Sequence, residues 1–150
     1  MKFTLQYLAP VDSEGTPGLQ GELTADGFHC LTLGRVDKLL APGTYGLVPG
    51  HMASHNADRA LVTGTEPHEG VFIHSGVKAA DSLMCPLVGG SRPTPGTLTG
   101  GLPIADHVFQ LVKDNPGSTL EVVGIQVGAQ SEPVDTDYKG AFVDVPTVVT

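Results

Sequence analysis

The sequence predicts a mainly β, β-rich α+β domain: a small mixed or antiparallel sheet or barrel of short strands, carrying one amphipathic helix at about 103–114. Three observations point there. Apolar and polar residues alternate with period two in several short runs, Gly/Pro turn signals separate those runs, and only one stretch has helical period. With 150 residues the chain has the size of one domain, assigned to 1–130, and 131–150 is expected to be an extended C-terminal arm.

"KFTLQYL" sets Phe3, Leu5 and Tyr7 on one face of a first strand, and "PVDSEGTPG" is expected to turn the chain. "LQGELTADGFHCLTLG" predicts two strands joined at Asp26-Gly27, a dipeptide that supplies the positive φ angles of a tight hairpin. Cys30 is there a small strand residue. Thr44 to Val48 is the next strand, expected to stop at Pro49-Gly50; "ALVTG", "VFIH" and "CPLVGG" follow as further short strands. Gly89 to Gly101 is a long loop. In "PIADHVFQLVKDNPG" Ile104, Val108, Leu111 and Val112 form a helical stripe, with Pro103 expected at the first position and Asn115-Pro116-Gly117 as the stop. "TLEVVGIQV" closes the series as a β-branched strand, and the apolar residues after 140 would lie on a sheet edge or a neighbouring subunit.

Charge and composition restrict function. Eight basic residues, scattered singly, against sixteen acidic ones leave no positive groove for nucleic acid and no attraction to an anionic membrane. The N-terminus lacks a long apolar signal segment, so synthesis in the cytoplasm without a signal peptide or transmembrane segment is expected. Two cysteines rule out a disulfide framework, though one bridge is formally allowed. No cofactor is expected.

The chemistry concentrates in "GVFIHSGVKAADSLMCPLVGG", residues 70–90. A cysteine nucleophile needs a base, because an ordinary thiol with a pKa of about 8.5 is mostly protonated at neutral pH. His74 ends an apolar strand and could take the proton of Cys85, which opens the next run. Asp81 could orient the imidazole, and backbone N–H groups near Cys85 could stabilise an oxyanion. A weaker alternative is a metal site: "HMASH" places His51 and His55 four residues apart, on one face if helical, with Glu66, His68 and Glu69 downstream, but without the glutamate of a zinc-hydrolase motif.

From Leu31 to Gly89 the segments "LTLG", "APGTYGLV", "FIHSG", "DS" and "CPLVGG" stand in an order that resembles a small phage and prophage domain of unknown function. Its core of the form Ile-His-x-Gly-Asn, Asp-Thr and Gly-Cys-x-Leu-x-Gly looks like a shortened L,D-transpeptidase signature. The resemblance implies Cys85 as a nucleophile forming a thioester with a peptidoglycan stem peptide, His74 as its base, Gly76 as part of the site floor and Ser82 as the small hydroxyl residue before the cysteine. Three departures stand out: Met84 replaces the expected glycine, Val77 replaces the asparagine, and no arginine directly follows Cys85, Arg92 being displaced. Together they imply altered specificity or lost catalysis. The competing expectation is a non-catalytic virion protein, a capsid decoration or tail-associated subunit. Its partners would be other virion subunits, or copies of itself joined through 131–150.

Overall fold

The computed structural model describes residues 1–124, so the expected arm at 131–150 lies outside the described residues. Eight strands alternate with turns and one helix: β1 (Lys2–Ser13), β2 (Thr16–Ala25), β3 (Phe28–Arg35), β4 (Gly43–Met52), β5 (Ala57–Thr63), β6 (Phe72–Ser75), β7 (Leu87–Gly89), α1 (Gly101–Asp114) and β8 (Thr119–Val123). They close a barrel in the order β1-β2-β3-β7-β6-β5-β4-β8. Two neighbours are parallel, β6 with β7 and β8 with β1; the other pairs are antiparallel. Among the described residues no helix is long and apolar enough to cross a membrane.

The alternation of β1 turns Phe3, Leu5 and Tyr7 inward, where they meet Leu23, Ile73 and Leu120 from other strands. Each large apolar side chain buried there contributes roughly 1.5–3 kcal/mol. The stripe of α1 joins the same cluster through Ile104, Val108 and Val112. A second, smaller cluster unites Leu31 and Leu33 of β3 with Leu87 of β7, under Ala79 and Leu98. Loop residues between 77 and 99 thus cover β3 and β7, which explains why both read as apolar on either face.

Three expectations need correction. The turn predicted over Pro10 to Gly18 is only the two residues Glu14-Gly15, both at positive φ, and β1 runs on to Ser13. Likewise Pro49-Gly50 does not end β4, which continues to Met52. The physical reason is shared. Pairing with β8 stops at Gln6 on β1 and at Gly46 on β4, so each proline sits where its strand has one partner only and the missing N–H leaves no ladder broken on the open side. The helix starts at Gly101, two residues early, putting Pro103 third rather than first, still inside the turn whose N–H groups have no helical acceptor. The helix on which His51 and His55 would share a face is not formed: His51 belongs to β4, and His55 to a single 3-10 turn, Ala53–His55.

The helix start positions the site. A Cβ on Gly101 would come within 2.8 Å of the Ser75 side chain, so the glycine lets the first turn of α1 press against the end of β6. At the other end Asn115 stops α1, its Nδ2 donating to the Leu111 carbonyl at 2.8 Å.

Candidate active site

Parallel pairing of β6 and β7 sets His74 opposite Leu87, which brings Cys85, two residues ahead of Leu87, to the neighbouring chain. His74 is held by its backbone N–H, which donates to the Pro86 carbonyl at 3.2 Å, and by its ring. Nδ1 lies 2.7 Å from the Ser75 carbonyl. A carbonyl can only accept, so the proton sits on Nδ1 and Nε2 presents its lone pair, without a hydrogen-bond partner among the described residues. This is the tautomer a general base requires. Burial pushes the imidazole pKa down, and the neighbouring His55 and Arg59 add to the effect against the Ser75 bond and Asp81. The ring is therefore neutral at pH 7.

Cys85 is 6 % exposed. Its Sγ accepts from the Phe72 N–H at 3.3 Å and faces the Gly70 carbonyl at 3.7 Å. Burial raises the thiol pKa, with the Phe72 N–H acting against it. No hydrogen bond joins Sγ to His74, so the two groups occupy adjacent chains without forming a pair in this conformation.

The other expected residues build the frame. Asp81 does not reach the imidazole; its Oδ2 accepts from the Val77 and Lys78 N–H groups at 2.9 and 3.2 Å, fixing the loop, and the Ser75 carbonyl takes the orienting role. Ser82 is buried, and its hydroxyl donates to the Cys85 carbonyl at 2.6 Å. Gly76 packs so closely that a Cβ would meet both Leu87 methyls at 2.9 Å. Arg92 is distant from this chemistry: it is buried, its Nη2 donates to the Thr32 carbonyl at 2.6 Å, and burial lowers its pKa to about 10.

Met84 borders the space around Cys85. It has φ +91°, a region where a side chain is strained and glycine is not, so the glycine of the resembled pattern has a backbone reason. Its side chain lies between two spaces. On one side is a closed pocket shared by Cys85, Ser82, Leu5, Tyr7 and Thr32. On the other is a cleft of about 200 Å³ bounded by Tyr45, Glu66 and His68. A larger cleft, about 400 Å³, runs from Ser75 and Gly76 to Leu98 and the start of α1; Val77 and Leu102 on its rim are exposed.

The histidines of the metal alternative are not gathered. His51 Nδ1 lies 2.9 Å from Asp58, His68 is in the loop before β6, and His55 packs edge-on against His74 with ring centroids 4.8 Å apart. Among the described residues no group of three His, Cys, Asp or Glu side chains could hold a metal ion. Both cysteines are free thiols.

These shifts set a pH profile for stability. The unfolded chain protonates His74 near pH 6.5 while the folded chain resists, so the unfolded state binds more protons and stability falls as pH drops below about 6.5. Cys30, Cys85 and Tyr7 have raised pKa values through burial, so the unfolded chain loses those protons first and stability falls as pH rises above about 8.5. Thermal midpoints measured from pH 5 to 10 are expected to peak between these limits, with His74→Gln flattening the acid limb. Midpoints still climbing above pH 9 would contradict the buried thiols.

Sequence reasoning missed Arg59, Asp106 and the approach of His55 to His74, because all three arise from pairing across strands and from the docking of α1. No family model, curated protein or solved structure matches the chain.

Proposed function

We propose that the chain is a phage-type protein derived from a peptidoglycan-acting His/Cys domain, and that it exchanges or cleaves stem-peptide bonds through Cys85. The observation that carries this is the imidazole of His74. Its Nδ1 is anchored on the Ser75 carbonyl, its Nε2 is unpartnered among the described residues, and it stands on the strand next to the chain of Cys85. For reaction, Sγ must leave Phe72 and turn toward Nε2. His74 then takes the thiol proton, sulfur attacks the peptide carbonyl carbon, and the S–C bond forms as the C–N bond breaks. The proton passes to the departing amine, and water or a second amine releases the acyl group from the thioester. The cleft on the outer side of Met84 would seat the peptide, and Ser82 holds the Cys85 carbonyl in place.

The test is release of a terminal D-amino acid from a synthetic stem tetrapeptide, followed by chromatography. Cys85→Ala should abolish release, and His74→Ala should lower it by about a hundredfold or more. Release undiminished in Cys85→Ala would end the proposal.

One observation favours a second reading, a non-catalytic virion subunit. The Cys85 thiol is buried, raised in pKa and bonded to backbone, as a core cysteine is. A catalytically silent protein whose assembly is lost on removing 131–150, seen by sedimentation, would favour it.

A further inference from the structure

We propose that Arg59, flanked by His55 and His74, is a binding site for a ligand carboxylate, and that the Asp106 carboxylate is an internal stand-in which the ligand displaces. Ala60 and Ile73 are paired across β5 and β6 and fill the core; one residue on, Arg59 faces His74 across the same two strands. Alternation turns both away from the interior, and the His55 ring closes on His74 from the 3-10 turn. Two further nitrogen-bearing side chains, Arg59 and His55, thus lie beside the proposed base.

A guanidinium offers five N–H donors. Here Nη1 donates to the Asp58 carbonyl at 2.8 Å and to Asp106 Oδ1 at 2.6 Å. Nε is buried without a partner among the described residues. Burying a charged fork with that donor idle is costly, and it signals a missing acceptor. The Arg59 side chain is 4 % exposed while that of Asp106 is 70 % exposed, so the carboxylate can swing into water at little cost and uncover the cation. Asp106, tethered to α1, touches one nitrogen with one oxygen. A free carboxylate is not tethered and can take two nitrogens side by side. That this carboxylate is the end of a short peptide rests on the proposed function above; the recognition of a carboxylate does not.

The test is calorimetric titration with N-acetyl-D-alanyl-D-alanine, its C-terminal amide, and inorganic phosphate, using the whole chain. Asp106→Asn, which removes the competing charge and keeps the shape, is expected to bind the dipeptide about tenfold more tightly than wild type. The amide should fail to bind, and Arg59→Lys in the Asp106→Asn background should weaken binding about tenfold while thermal unfolding confirms a folded chain. Cys85→Ser should bind as its parent does, which separates failure here from failure of the acyl chemistry. The proposal is overturned if Asp106→Asn binds no more tightly, if the amide binds equally, if Arg59→Lys is without effect, or if phosphate outcompetes the dipeptide.

Discussion

Leu120→Ala is expected to lower the unfolding free energy by about 2–5 kcal/mol, measured by urea denaturation. Leu120 lies on the strand that closes the barrel, fully buried, in register with Phe3 of β1 on one side and Tyr45 of β4 on the other. Two fixed neighbouring strands leave little room for collapse into the cavity, which favours the upper half of the range. Glu121, the next residue, points outward and meets only Lys2 at 3.1 Å, both exposed. Glu121→Ala should therefore cost no more than about 1 kcal/mol. Equal effects of the two substitutions would mean that β8 does not seal the barrel.

Met84→Gly is expected to raise the rate of Cys85 alkylation by iodoacetamide by about tenfold or more in the folded protein. The side chain that separates the Cys85 pocket from the outer cleft is removed, and the residue at φ +91° becomes one that tolerates it. Stability should change little, because relief of about 1–3 kcal/mol of backbone strain offsets the packing lost by a half-buried methionine. Met84→Ala separates the two effects: it opens the same path but keeps the strain, and should be less stable than Met84→Gly by about 1 kcal/mol. Cys30, fully buried, is the internal control and should stay unlabelled in every variant. An unchanged Cys85 rate in Met84→Gly would show that the thiol is closed off by something other than this side chain.

Local signals were legible in the sequence, and long-range ones were not. Asp26-Gly27 gave its hairpin, and the stripe from Ile104 to Val112 gave its helix, because turn chemistry and periodicity act within a few residues. Pro10 and Pro49 misled, since a proline's cost depends on whether a second strand needs its N–H, and that depends on where β8 stops. Within the site, order along the chain suggests His74 and Cys85 as a pair; the structure puts them on neighbouring chains with no hydrogen bond between them. That order could not show that Ser75 rather than Asp81 receives the Nδ1 proton, or that Sγ rests on Phe72. Met84 was recognisable as a departure from the resembled pattern; its positive φ supplies the cause.

The most direct measurement is a search for a thioester. Wild type and Met84→Gly are incubated with a stem tetrapeptide, and the peptide bearing Cys85 is examined by mass spectrometry. An acyl increment on Cys85, larger in Met84→Gly and absent from His74→Ala, is the expected result. A Met84→Gly protein whose Cys85 alkylates freely but never acylates would contradict the assignment of Cys85 as nucleophile.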